Sequence, residues 1–251
     1  MKTLAKRFLR KLNLLPKPAL LEAPFEDPNR VKHYAESTRD DAIHGAYERA
    51  WMLKHTQALP KGPLLVAGGG PGIYGQTLAQ QGHTVVSLDA SEAMTAYAQS
   101  LLAPPHQAIA HALENPLPFE DHTFEAILSP LTLHYVEHWE PVFQEFYRTL
   151  APGGRLLISV LHPLILSPTQ QGYHQVQRVY QYFSDFGGQI GYYRRPLAHH
   201  FTPLLSAGFE LHQVCEPLPS AELTARFADT AKALENHPLF LFLEARKPTS
   251  S

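Results

Sequence analysis

The sequence predicts an α/β fold: a Rossmann-like, doubly wound, mostly parallel sheet of seven strands, with an N-terminal helical arm and an inserted lid. Three observations carry this prediction. Short apolar segments bounded by glycine or proline alternate with segments of helical period, as in a parallel sheet covered on both faces. The first apolar segment leads straight into the glycine-rich loop 68–75. The 251 residues are enough for one substantial core.

The elements follow one another in regular order. Strands are predicted at 63–68, 83–89, 107–110, 123–129, 154–161, 209–214 and 238–247. Helices are predicted at 40–62, 73–82, 91–102, 139–150 and 197–207. Local signals set several of the boundaries: Ser91 is a helix N-cap, Gly82 ends a helix, and Pro238 suits the start of a strand.

The domain organisation has three parts. Residues 1–41 form a basic arm, residues 42–251 form the domain, and residues 162–196 form an insertion within it. The arm carries no acid before Glu22, and its leucines recur at helical spacing. We favour a terminal helix packed on its own domain over a membrane-surface or organelle-targeting segment. The insertion is too long for a simple connection, so we expect a lid over the mouth of the site, with a hairpin as one candidate form.

Composition narrows the classes of function. The formal net charge of −2 gives no electrostatic case for binding nucleic acid. No apolar run reaches the ~20 residues of a membrane span, so we expect a cytoplasmic protein without stable membrane insertion. The pair His134 and His138 lacks a third ligand, so no metal site is predicted. The oligomeric state stays open.

The glycine-rich loop predicts a ligand site. A strand, a glycine turn and a helix bring the backbone close to a ligand, and the helix N-terminus attracts a carboxylate or phosphate. Gly70, Gly72 and Gly75 match the dinucleotide pattern, with Asp89 about twenty residues further on. At the end of the second strand, Asp89 can accept both hydroxyls of a ribose. The alternatives are a packing role for the loop and an Asp cap beside Ser91.

Downstream motifs select among the possible ligands. The stretches LLVAGGGPG, VVSLDASEAM, LPFEDHTFEAILSPLTLHY and EPVFQEFYRTLAPGGRLLIS occur in this order. Together they resemble the class I S-adenosylmethionine-dependent methyltransferases. Within these they resemble the small-molecule group, methyltransferase type 11, related to the ubiquinone, menaquinone and biotin-pathway enzymes. The resemblance covers about 42–161 and implies S-adenosyl-L-methionine as cofactor.

The resemblance also implies a set of cofactor-binding residues, from the loop under the methionine part to the adenosine and adenine contacts and the end of the fourth strand. They are Gly68, Gly70, Gly72, Asp89, Ala90, Ser91, Met94, Ala112, Leu113, Ser129 and Leu131. Arg49, in the helix before the first strand, is a further candidate, because a guanidinium can clamp the cofactor carboxylate. It could equally pair with an acid such as Glu48.

The sequence also departs from the family pattern. Val66 stands where an acid is usual and Gly69 where cysteine is common, and Ala112 replaces a frequent aspartate. Each missing polar contact could cost ~1–3 kcal/mol of binding. The function predicted is methyl transfer to a small-molecule acceptor by in-line displacement. The alternative is a non-catalytic relative, a binding or scaffold subunit with a degenerate cofactor pocket.

Two histidines are candidates for a catalytic base. His134 follows the fourth strand and His162 the fifth, at the sheet edge where ligands of open α/β sheets bind. Either could instead be an ordinary polar residue at a strand end. For the acceptor we single out Tyr47, Tyr135, Tyr180 and Tyr193, whose rings suit a partly apolar molecule.

Overall fold

The computed structural model describes residues 19–164, 173–183 and 186–249. Its strands, in chain order, are β1 Pro63–Ala67, β2 Thr84–Asp89, β3 Gln107–Ala110, β4 Phe124–Pro130, β5 Leu150–Leu161, β6 Gln177–Phe183, β7 Gly188–Arg194, β8 Glu210–Cys215 and β9 Phe240–Arg246. Its α-helices are α1 Pro28–Ser37, α2 Ala50–Thr56, α3 Ile73–Gln80, α4 Glu92–Leu101, α5 Trp139–Thr149, α6 Thr202–Ser206, α7 Ala221–Arg226 and α8 Ala228–Asn236.

Seven of the strands form one sheet in the order β3-β2-β1-β4-β5-β9-β8. Strands β1 to β5 pair in parallel, and β9 pairs antiparallel with both β5 and β8. The predicted Rossmann-like, seven-stranded, mostly parallel sheet is confirmed. Its order reverses beside β1, which brings the ends of β1, β2 and β4 to one edge, where such folds bind ligands.

The central strands β1, β4, β5 and β9 are buried on both faces of the sheet, to which their side chains point alternately. In β1, Leu65 and Ala67 belong to the core on the α5 side, together with Trp139. Leu64 and Val66 belong to the opposite core. That core also holds Tyr47, Met52, Tyr74, Leu128, Leu157 and Phe240. The apolar runs that predicted the central strands are therefore the runs that fill the two cores.

The predicted start of α4 is confirmed, since the Ser91 hydroxyl accepts a hydrogen bond from the Met94 backbone N–H over 3.0 Å. The helix predicted at 40–62 differs from the observed one. It is a π-helical turn, His44–Arg49, that continues into α2. The Asp41 carboxylate accepts from the backbone N–H groups of His44 and Gly45 over 2.7 and 2.8 Å and so delays the helix start.

The chain before this turn is ordered against the domain. Helix α1, which we did not predict, begins after Asp27, whose carboxylate caps it by accepting from the Asn29 N–H over 2.9 Å. The segment 19–38 belongs to the predicted arm and contacts the domain, since the Phe25 carbonyl accepts a hydrogen bond from the Ser91 hydroxyl. The basic residues of the arm before residue 19 lie outside the described residues.

The predicted insertion contains a hairpin. Strands β6 and β7 pair antiparallel in a separate two-stranded sheet, and Leu20 forms an isolated bridge to Gln189 of β7. Residues 165–172 and 184–185 of the insertion lie outside the described residues. Among the helices that the structure describes, none combines the length and apolar character needed to cross a bilayer.

Candidate active site

The glycine loop between β1 and α3 holds three residues in left-handed backbone conformation, with φ of +73° at Gly68, +53° at Gly70 and +83° at Gly72. L-residues rarely adopt such angles. A Cβ at Gly68 would lie 2.0 Å from the Thr132 hydroxyl, and one at Gly72 would lie 2.7 Å from Ala98. A Cβ at Gly70 would meet no described atom within 4 Å. The absence of a side chain at Gly68 and Gly72 thus allows Thr132 and Ala98 to pack closely against the loop, whereas Gly70 borders open space.

Asp89 ties this loop to the end of β2. One of its carboxylate oxygens accepts from the Gly70 N–H over 2.8 Å, and the other accepts from the Ser91 N–H over 3.0 Å. Burial raises the pKa of this carboxyl, and the two backbone hydrogen bonds act in the opposite direction. Because each carboxylate oxygen can accept two hydrogen bonds, Asp89 keeps capacity for ligand hydroxyls.

A cavity of about 390 Å³ opens between the loop, the end of β4, segment 19–38 and the hairpin. Ten predicted site residues line it: Arg49, Gly68, Gly70, Asp89, Ala90, Met94, Leu113, Leu131, His134 and Tyr135. The other eight do not: Tyr47, Gly72, Ser91, Ala112, Ser129, His162, Tyr180 and Tyr193. Predicted residues from five parts of the chain therefore meet at one cavity: the π-helical turn, the glycine loop, the junction of β2 and α4, the segment after β3 and the segment after β4.

The residues away from the wall have other surroundings. Ser91 caps α4, and its hydroxyl donates to the Phe25 carbonyl over 2.6 Å. Tyr47 lies in the core, stacked on Phe240, and its hydroxyl donates to the Pro217 carbonyl over 2.5 Å. Tyr180 is 47% exposed on the hairpin.

His134 stands in the short 3-10 turn Leu133–Tyr135 after β4 and is buried. Burial lowers its pKa to about 3, and the nearby charges of Arg195 and His200 add to the effect. It is therefore neutral near pH 7. Its Nδ1 has no hydrogen-bond partner among the described residues, although the side chain lines the cavity. A neutral ring of this kind can exchange a hydrogen bond with a ligand but is a weak base.

His162 is placed differently. Its Nδ1 accepts from the Leu164 N–H over 3.2 Å, so its Nε2 carries the proton and donates to Glu216 over 2.5 Å. Both ring nitrogens are thus engaged, and the residue lies outside the cavity wall. This arrangement fits a polar residue at a strand end, which was the other interpretation open from the sequence.

Glu48 and Arg49 enter the cavity wall side by side from the π-helical turn, and both are buried. The Glu48 carboxylate accepts from the Tyr74 hydroxyl over 2.7 Å and from the Ser159 hydroxyl over 2.5 Å. Burial raises the pKa of Glu48 against the effect of these hydrogen bonds. Arg49 donates to the Arg39 carbonyl over 2.8 Å, while its Nε has no partner among the described residues. From the sequence, Glu48 is expected only as a partner for Arg49.

The outer wall comes from segment 19–38, which the sequence did not assign to the site, and from the insertion, which it assigned as a lid over the mouth of the site. Phe25, Tyr34 and Thr38 belong to segment 19–38, and Gln181, Phe183 and Phe186 belong to the hairpin and the turn that follows β6. The Phe25 ring packs edge-on against Phe186 and Tyr135, with centroids 5.1 and 5.5 Å apart. The Asp27-Pro28 pair, a helix-start signal, was the clue to this ordered segment.

In the comparison with protein families, residues 65–158 match a family described as a methyltransferase domain. Among individual proteins, the chain is 30% identical over 141 residues to the biotin biosynthesis bifunctional protein BioHC of Cellvibrio japonicus, covering 56% of this chain and 28% of that protein. It is 34% identical over 100 residues to the malonyl-[acyl-carrier protein] O-methyltransferase of Erwinia billingiae, covering 39% and 38%.

A third relative is the demethylmenaquinone methyltransferase of Clavibacter sepedonicus, 27% identical over 154 residues, covering 60% of this chain and 61% of that protein. The matches to these three relatives thus span from about a quarter to about three-fifths of their lengths.

Solved structures share the fold. An S-adenosylmethionine dependent methyltransferase from Mesorhizobium loti superposes with a TM-score of 0.67 at 22% identity, covering 82% of this chain and 100% of that one. Phosphoethanolamine N-methyltransferase 2 from Haemonchus contortus, in complex with S-adenosyl-L-methionine, gives a TM-score of 0.60 at 18% identity and covers 96% and 59%.

Proposed function

The domain that contains residues 65–158 belongs to the class I S-adenosylmethionine-dependent methyltransferases, and on that premise we propose that this chain methylates a small, partly apolar molecule. S-adenosyl-L-methionine is the cofactor of this family. The proposal concerns the activity of the whole chain and the class of its acceptor.

The observation that carries the proposal is the link between Gly70 and Asp89. The left-handed glycine leaves open space above the loop, and the carboxylate that holds it keeps free acceptor capacity at the same edge of the cavity. Only a ligand that approaches a backbone closely and also offers hydroxyl donors uses both features. The adenosine ribose and the amino-acid end of the cofactor meet these requirements.

The residues of the wall fit the two ends of this cofactor. Ala90, Met94 and Leu113 offer apolar surface beside Asp89 for the adenine. Arg49, at another part of the wall, offers a guanidinium for a carboxylate. When bound, the cofactor supplies a methyl group already activated by a positively charged sulfur. The chain then has to align the acceptor and exclude water, which can contribute ~7–11 kcal/mol in favourable cases.

The acceptor side of the cavity is aromatic, with Phe25, Tyr34, Tyr135, Phe183 and Phe186 in its wall. These rings suit an acceptor with an apolar part. The neutral His134 ring would orient the acceptor through a hydrogen bond, and it would take a proton only from an acidic acceptor. Two acceptor chemistries agree with such a site and with the relatives named above: the carboxylate of a malonyl thioester and the ring of a quinol.

The competing function is a non-catalytic subunit, and Val66 is the observation in its favour. The first test is calorimetric titration with S-adenosylmethionine and S-adenosylhomocysteine. We expect micromolar binding that Asp89→Ala weakens at least tenfold and that Asp229→Ala, an exposed acid on α8, leaves unchanged. Folded protein that binds neither ligand would support the non-catalytic function.

The acceptor is tested next by methyl transfer from labelled cofactor to malonyl thioesters and to quinols. Transfer to one of them, reduced in His134→Asn while cofactor affinity is retained, would support the acceptor side. Cofactor binding without transfer to either would contradict the acceptor class and leave the cofactor assignment standing.

A further inference from the structure

Glu48 is a buried carboxyl in the cavity wall that the proposed function does not yet use. Its side chain is 1% exposed, and its two hydrogen-bond donors, Tyr74 and Ser159, are neutral hydroxyls. An ionised carboxylate in such a place is unfavourable unless a cation compensates it. Each oxygen has accepted one hydrogen bond and can accept another. The cavity is the place from which a further donor can come.

Glu48 packs against one face of the sheet. On this face β1, the strand before the glycine loop, carries no charged residue. In β1, Leu64 and Val66 point to this face and are apolar. Leu157 of β5 shares their core, and Ser159, two residues further along β5, therefore points the same way. The Ser159 hydroxyl meets Glu48 there. The π-helical turn thus places the Glu48 carboxyl on a sheet face where β1 has no carboxyl of its own.

Arg49 completes a pair of opposite charge in the same wall. The two residues are consecutive in the π-helical turn, a conformation often found at functional sites. The Arg49 Nε is buried without a partner among the described residues. A ligand group that carries both an ammonium and a carboxylate would satisfy both side chains at once.

We propose that Glu48 binds the ammonium of the cofactor's amino-acid end, with Arg49 facing the carboxylate of that end. This inference rests on the proposed function, because it assigns a contact within the same cavity. Glu48 would thereby supply, from the N-terminal side of the domain, the acid that is absent at position 66. Hydrogen bonds to charged groups predict that loss of the Glu48 charge weakens binding of the amino-acid end about 10- to 100-fold.

The test compares two ligands and two variants by calorimetry. S-adenosylhomocysteine carries the ammonium but no charged sulfur, so its binding reports on the ammonium without a contribution from a sulfonium. Methylthioadenosine keeps the adenosine and the sulfur but ends in a methyl group. Glu48→Gln preserves the size of the side chain, and Glu36→Gln, on the exposed side of α1, is the matched control.

We expect Glu48→Gln to weaken S-adenosylhomocysteine about 10- to 100-fold and methylthioadenosine less than threefold, with no change for either ligand in Glu36→Gln. Thermal unfolding of each variant checks the fold. Should Glu48→Gln be unstable, the comparison of the two ligands on the unmodified protein keeps the inference falsifiable, because equal affinities would overturn it.

The remaining outcomes are distinct. Unchanged binding of S-adenosylhomocysteine in Glu48→Gln overturns the inference and leaves the proposed function intact. Equal weakening of both ligands also overturns it, because Glu48 would then only maintain the shape of the cavity. If the unmodified protein binds neither ligand, the proposed function itself fails.

Discussion

The backbone N–H of Gly70 donates to the Asp89 carboxylate over 2.8 Å, across the gap between the end of β1 and the end of β2. This contact fixes the one loop glycine whose missing side chain leaves space for a ligand. Mutation at this loop can therefore separate the effect of backbone conformation on stability from the effect of an added side chain on ligand affinity.

Gly70→Ala should reduce cofactor affinity more than it reduces stability. The left-handed conformation costs an alanine about 1–2 kcal/mol, and its Cβ would project into the cavity rather than into protein. Gly82→Ala is the matched control, since Gly82 has a φ of +88° and equally open surroundings but lies outside the cavity wall. We expect similar losses in thermal unfolding and a loss of S-adenosylhomocysteine binding in Gly70→Ala alone. Equal affinities in both variants would contradict the placement of the cofactor on Gly70.

His134 should make the protein less stable as the pH falls. Its folded pKa of about 3 lies below the ordinary value of 6.5, so between these values the unfolded chain binds a proton that the folded chain does not. The stability is complete above pH 6.5 and decreases below it. From pH 7 to pH 5 the loss amounts to about 2 kcal/mol. His134→Asn should remove this part of the pH dependence of urea unfolding, whereas His138→Asn, at an exposed position, should not. Parallel pH profiles for the three proteins would show that His134 is accessible to protons when folded.

Phe25→Ala should speed the release of S-adenosylhomocysteine. The Phe25 ring connects segment 19–38 to Tyr135 and to Phe186 after β6, and each aromatic pair contributes about 0.5–1.5 kcal/mol. Losing both should raise the dissociation rate about tenfold, since the outer wall must open for release. Stopped-flow displacement measures this rate. Tyr180→Ala, at an exposed position on β6, serves as the control. Equal rates in the unmodified protein and Phe25→Ala would mean that ligands leave by another route.

Binding of the ammonium by Glu48 should release a proton at pH values near and below the raised pKa of free Glu48. Burial raises the pKa of Glu48, while Arg49 and His44 oppose this rise, and Tyr74 of α3 and Ser159 of β5 donate to the carboxyl. Because the bound ammonium favours the ionised carboxyl, S-adenosylhomocysteine affinity should fall as the pH is lowered through the pKa of free Glu48. Titrations in buffers of different ionisation enthalpy count the protons released. We expect Glu48→Gln to abolish both effects; an unaltered proton count in that variant would assign the release to another group.

The parts of the site that were predicted from the sequence alone depend on local sequence signals, in which the interacting residues lie close together along the chain. The loop glycines, Asp89 and the Ser91 cap follow from strand ends and helix starts, which short stretches encode. The central strands were predictable for the same reason, since β1, β4 and β9 are apolar runs between turn residues. Even Val66, which departs from the family pattern, is an ordinary β1 residue in the core.

The parts that were missed depend on contacts between distant residues. Glu48 meets Ser159 across 111 positions. The Ser91 hydroxyl meets the Phe25 carbonyl across 66 positions, and His162 meets Glu216 across 54. No local sequence pattern encodes which helical turn packs against which strand. The significance of Glu48 appears only after the π-helical turn packs on β5.

The position of β9 between β5 and β8 has a consequence for biosynthesis. The ribosome releases β5 and β8 before β9, yet β8 joins the sheet only through β9. Until residue 246 emerges, the β5 edge and the whole of β8 lack their partner and could pair with other nascent chains. A chain shortened before Phe240 would keep the glycine loop, Asp89 and Glu48 yet expose an open sheet edge, so its expected fate is aggregation rather than a smaller working domain.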